Sequence, residues 1–95
     1  MEAERQLRPE DGVELNPNYH FRWEEPQQAH VLLYPEGIVK LNQTAAAILE
    51  ACTGASSIAD GTAELARRYN KRNLGAEVLK FLEVAHAKGW IRVKS

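Results

Sequence analysis

Three histidines, one cysteine and a short run of cations are the residues of this chain best equipped for chemistry. A metal site needs three or four donors converging at ligand spacing. In a hairpin that closes over residues 24–28, His30 faces Trp23 and His20 faces Leu33, so the two imidazoles do not oppose each other. His86 stands alone near the end of a later helix. No further Cys, His or paired carboxylates stand at ligand spacing, and no metal site is expected. Cys52 shares a helical stripe with Ala45, Ile48 and Leu49, which reads as a buried, inert thiol rather than a nucleophile. Glu24-Glu25 stands beside Pro26 and reads as a solvated strand end. No serine triad, phosphate loop or dinucleotide fingerprint is present, so no catalytic residue and no cofactor are expected. Arg67, Arg68, Lys71 and Arg72 remain: four cations in six residues. The plain reading is solvation and favourable interaction with the negative end of a helix dipole. The functional reading is a docking patch for an acidic partner or peptide.

Bulk properties limit the classes available. Ninety-five residues make one domain with a thin core. An apolar fraction of 44% and a charged fraction of 26% suit a folded globular chain. A net charge of −1 removes the positive field of a general nucleic-acid binder. A single cysteine excludes an internal disulfide and fits a reducing compartment. Met1 to Arg5 is charged, with no apolar stretch behind it, so no secretory signal is expected. The longest apolar run, Ala45 to Leu49, is far short of a membrane span. The expected location is the cytoplasm.

The elements that must position these residues follow from period and punctuation. Residues 1–18 are polar and broken by Pro9, Gly12 and Pro17, which reads as an irregular arm before a single domain over 19–95. Tyr19, Phe21 and Trp23 alternate with His20, Arg22 and Glu24, the mark of a half-buried strand. His30 to Tyr34 is apolar on both faces and belongs at the centre of its sheet. Pro35-Glu36-Gly37 turns the chain into a third strand, Ile38 to Leu41. Asn42 can cap a first helix that Gly54 stops. Ser57 with Asp60 resembles a capping box for a second helix through Ile58, Thr62, Leu65, Ala66 and Tyr69, weakened by about 1 kcal/mol at Gly61. Asn73 can cap a third, with the stripe Leu74, Val78, Phe81, Leu82 and Ala85, ended by Gly89. Trp90 to Val93 pins the C-terminus to the core. The expected fold is α+β: a three-stranded antiparallel sheet followed by three helices.

Residues from both halves form a linked set. Leu33-Tyr34-Pro35-Glu36-Gly37 is followed by Leu41-Asn42, Thr44-Ala45 and Ile48-Leu49, then Cys52-Thr53-Gly54, Ser57-Ile58, Leu65 and Tyr69. Phe81-Leu82 and Lys88-Gly89-Trp90-Ile91 close it. Over about Arg8 to Val93 this resembles the pyrroloquinoline quinone biosynthesis protein D family, PqqD. The resemblance implies a winged-helix-like fold and a peptide chaperone. Such a protein binds the ribosomally made precursor peptide of the cofactor and presents it to a radical S-adenosylmethionine enzyme, which joins a glutamate and a tyrosine of that precursor. It also implies that the peptide adds as a strand beside the third strand and packs on the third helix. The run Asn70 to Gly75 departs from the family pattern in being more basic and polar.

The meander gives that mode a physical basis. Its third strand is an edge with unpaired backbone groups, so Gly37, Ile38, Val39, Lys40 and Leu41 are the expected peptide-binding strand. On the third helix the expected contacts are Glu77, Leu79, Phe81 and Val84. Glu77, Val84 and Lys88 border the core stripe on one flank, and Gly75, Leu79 and His86 on the other. Leu79 reads either as an exposed apolar contact or as packing under the N-terminal arm. Two other readings are a winged-helix DNA-binding regulator and a structural subunit of the modifying enzyme. Against the first, Glu77 and Glu83 offset Lys80 and Lys88 on the helix that would enter the groove. The exposed edge is compatible with a monomer, a dimer or a strand-exchanged dimer.

Overall fold

A computed structural model describes residues 6–94. The charged Met1 to Arg5 segment lies outside the described residues. The elements are β1 (Val13–Leu15), β2 (His20–Glu24), β3 (Ala29–Tyr34), β4 (Gly37–Lys40), α1 (Gln43–Thr53), α2 (Ile58–Tyr69), α3 (Gly75–Ala87) and β5 (Ile91–Val93). Strands β2, β3 and β4 form the expected antiparallel meander in that order, and the three helices follow it.

The central strand is set by its composition. Val31 and Leu32 point to opposite faces of β3, and both are fully buried. Leu32 belongs to the main core, which also takes Ile48 and Leu49 of α1 and Val78 and Leu82 of α3. Val31 stands in register between Arg22 and Lys40 on the other face. Trp23 was expected with Tyr19 and Phe21 in the half-buried row, yet it is 46% exposed. It lies at the turn end of β2, where its ring packs edge-on against His30 and its Nε1 donates to Glu25 Oε1.

The N-terminal arm is not irregular throughout. Val13–Leu15 forms β1 and pairs antiparallel with β5, Val13 opposite Val93 and Leu15 opposite Ile91. Val13 and Leu7 are buried in the same core as the helices. The amides of Ile58 and Ala59, which open α2, donate to the carbonyls of Asp11 and Pro9. The arm therefore satisfies donors that the helix itself leaves free, and packing does not divide at residue 19.

The helices largely follow their caps. Asn42 Oδ1 accepts from the Ala45 amide at 2.7 Å, and Ser57 Oγ accepts from the Asp60 amide at 3.1 Å. Asn73 does not cap α3. Its backbone is left-handed (φ 60), the cap position falls to Leu74, and no side chain accepts there. Tyr69, expected on the core stripe of α2, is 47% exposed at the end of the helix. Gly61 is more than a weak point. A Cβ there would meet Cys52 Sγ at 2.7 Å and Cys52 Cα at 2.8 Å, so glycine is what lets α1 and α2 approach. Gly89 (φ 81) ends α3 in the left-handed conformation expected of it.

Candidate binding edge and groove

The free edge of β4 is defined atom by atom. The Leu41 amide donates to the His30 carbonyl at 3.0 Å, and Lys40 stands opposite Val31. Bonded and non-bonded pairs alternate along an antiparallel ladder. Val39 opposite Leu32 and Gly37 opposite Tyr34 therefore carry the bonds to β3. Ile38 and Lys40 turn their N–H and C=O groups away from it. β4 is the last strand of its sheet, so these two residues offer two donors and two acceptors to an added strand.

Side chains on the two faces differ in kind. Ile38 is 47% exposed, and Lys40 is exposed beside it on the face away from the helices. Val39 is half-buried and packs against the core. Leu41 is buried, and its amide is already bonded, so it anchors the strand rather than offering a free group.

Three residues past Lys40, α1 begins beside an open groove of about 300 Å³. Gln43, Thr44 and Ala47 of α1 line one side, and Leu74, Glu77 and Val78 line the other. Tyr69 and Lys71 close the end, and the buried Ile48 and Leu65 form the floor. Thr44, Ala47 and Tyr69 were not expected at such a site, whereas Lys71 belongs to the cation run read from the sequence as a docking patch for an acidic partner or peptide. Tyr69 carried a signal, since an aromatic at the last turn of a helix lies where the stripe leaves the core. Thr44 and Ala47 carried none.

The groove separates the two flanks of α3. Glu77 lines it, and Phe81 and Val84 continue the same flank along the helix. Phe81 is half-buried against Trp90, with ring centroids 6.5 Å apart, and Val84 is 45% exposed. Lys88 sits over the Trp90 ring, 5.9 Å from its centroid. Leu79, on the opposite flank, is half-buried against the core and does not line the groove. The four cations also separate. Arg67 pairs with Glu64, and Arg68 pairs with Glu64 and Glu50. Lys71 lines the groove, and Arg72 is exposed next to it.

His20 stands opposite Leu33, as the hairpin register required. His30 lies between aromatic rings, stacked on Phe21 at 5.0 Å and edge-on to Trp23. No group of three or more metal-ligating side chains occurs among the described residues. Burial pushes the Cys52 thiol up to about 11, which keeps it protonated and unreactive at neutral pH.

A profile of the family described as coenzyme PQQ synthesis protein D (PqqD) matches residues 29–91. The PqqA binding protein of Methylococcus capsulatus is 44% identical over 86 residues, covering 90% of this chain and 92% of the relative. The chain belongs to the PqqD family. Another PqqD relative, the PqqA binding protein of Azotobacter vinelandii, is 47% identical over 84 residues, which cover 87% of this chain and 91% of the relative. The solution structure of the PqqD part of Methylobacterium extorquens PqqCD, described as a stand-alone recognition element for ribosomally synthesised, modified peptides, superposes with a TM-score of 0.78 at 24% identity. That match covers 97% of this chain and 99% of the other, and supports the PqqD fold. No helix among the described residues is long and apolar enough to cross a membrane.

Proposed function

We propose that this chain is a cytoplasmic, non-catalytic chaperone for PqqA, the precursor peptide that its relatives are named for binding. It holds the peptide by strand addition to β4 and presents it to a radical S-adenosylmethionine enzyme. The observation that carries this reading is the pair of outward-facing residues Ile38 and Lys40 at the edge of the sheet, on a strand whose chain enters the α1 wall of the groove three residues on, at Gln43.

The magnitudes require both parts. Four backbone hydrogen bonds contribute roughly 2–6 kcal/mol at about 0.5–1.5 each. A micromolar complex needs roughly 8 kcal/mol net of the ordering of a flexible peptide. Apolar side chains of the peptide must supply the remainder. Ala47, Ile48, Leu65, Leu74 and Val78 give them a surface, and Phe81 and Val84 extend it along α3. The proposed peptide-binding set is thus Gly37 to Lys40 with Glu77, Phe81 and Val84. Leu41 and Leu79 support it from the core.

The DNA-binding alternative is weaker on the same observations. Arg67 and Arg68 are matched by carboxylates of the chain itself, which leaves little positive field for phosphate. Calorimetric titration with synthetic PqqA is the test. The parent chain is expected to bind. Lys40→Pro, which removes one outward donor and sets a ring on the edge, is expected to weaken binding by at least about tenfold. Unchanged affinity in a folded Lys40→Pro variant would overturn strand addition at β4.

A further inference from the structure

The connection between α2 and α3 is the part of the groove that strand addition leaves without a role. Asn70 and Asn73 both take left-handed backbone, φ 53 and φ 60. Asparagine tolerates that conformation better than most residues. Lys71 and Arg72 stand between them. Among the described residues Arg67 and Arg68 are held by Glu64 and Glu50, whereas Lys71 and Arg72 have no carboxylate within ion-pair distance. Lys71 also lines the groove, beside the apolar surfaces of Tyr69 and Leu74.

We infer that Lys71, with Arg72 next to it, receives a carboxylate side chain of the bound peptide, adjacent to an apolar side chain seated on Ala47 and Val78. The inference rests on strand addition to β4. The whole sheet is antiparallel, and an antiparallel guest strand keeps its pattern. The groove lies beyond the C-terminal end of β4, so the residues reaching it precede the paired stretch of the peptide. The ligand is therefore a segment with an apolar residue and an Asp or Glu ahead of its strand. Glu77 faces the same groove from α3 and repels a second carboxylate there. One acid at the Lys71 end is accepted, and one beside α3 is not.

The test uses the full chain and synthetic PqqA, together with peptides in which each Asp or Glu is changed singly to its amide. Lys71 is exposed, so Lys71→Glu and Lys71→Gln are expected to leave the fold intact. At low ionic strength Lys71→Glu is expected to weaken binding about tenfold and Lys71→Gln less, both effects shrinking as salt is added. One amide peptide, altered ahead of the paired stretch, is expected to lose several-fold affinity for the parent chain and to be indistinguishable from PqqA for Lys71→Gln. Parent-like affinity for Lys71→Glu, or for every amide peptide, overturns the inference. If Lys40→Pro still weakens binding by at least about tenfold in that case, strand addition stands alone. If Lys40→Pro also binds like the parent, both fall together.

Discussion

Cys52 and Gly61 meet where α1 crosses α2, and each explains the other. The thiol is fully buried because no Cβ stands between it and the second helix. Gly61→Ala gains about 1 kcal/mol of helix propensity but forces the two helices apart. The overpacking cost of about 1–3 kcal/mol is expected to win, and a lower melting temperature in calorimetry would show it. Greater stability would mean that the contact relaxes at little cost. The thiol itself gives a pH signature. In the unfolded chain it ionises near its ordinary 9.0, and in the folded chain it keeps its proton to about 11. The contribution is complete below pH 9 and is lost as pH rises toward 11. Cys52→Ala is expected to lack that alkaline slope in denaturant titrations, and alkylation of the parent at pH 8 to require unfolding. Spacing alone marked Cys52 as a core position. It showed the helix-propensity loss at Gly61 but not the close contact with Cys52, because helical period says which residues face inward and not how closely two helices approach.

Among the elements, β4 matters most, and alternation along its ladder separates two proline variants. Val39→Pro removes a donor to β3 and breaks the hairpin. Lys40→Pro removes a donor that faces outward and leaves the ladder whole. Thermal melts are expected to show a loss of several degrees for Val39→Pro and a smaller one for Lys40→Pro. The reverse order would mean that the register assigned to β4 is shifted by one. The meander and its edge were legible because alternation, the Pro35-Glu36-Gly37 turn and the apolar β3 are all local signals. The choice between the flanks of α3 was not. Glu77 with Val84 and Gly75 with Leu79 offer similar side chains, and the proposed choice of the Glu77 flank rests on the packing of Leu79 against the core and the place of Glu77 beside the groove. Asn73 misled for a related reason. Asparagine serves both as an N-cap and in left-handed turns, and here it took the second role.

At the scale of the whole molecule, the first and last described segments hold the helices together. Leu7 lies in the core, the Pro9 and Asp11 carbonyls close the start of α2, and β1 pairs with β5 across nearly the full length of the chain. A domain of this size has only about 5–15 kcal/mol of stability, so such contacts are a large share of it. Leu7→Ala is expected to cost about 2–5 kcal/mol in chemical denaturation. A loss under about 0.5 kcal/mol, the level of ordinary surface substitutions, would place the arm outside the cooperative core. These pairings escaped sequence reasoning because two three-residue strands are too short to show a period. Their contact joins residues that no local pattern links.

The pairing at β4 has a counterpart at the opposite edge of the same sheet. On β2 the ladder bonds fall to His20, Arg22 and Glu24, and Phe21 and Trp23 face outward. Amide hydrogen exchange with and without PqqA therefore reads the binding mode directly. Strand addition to β4 requires the amides of Ile38 and Lys40 to become protected on binding, with Val39 and Leu41 already protected in the free chain. Protection of Phe21 and Trp23 instead, or no change at Ile38 and Lys40 in a saturated complex, would contradict it.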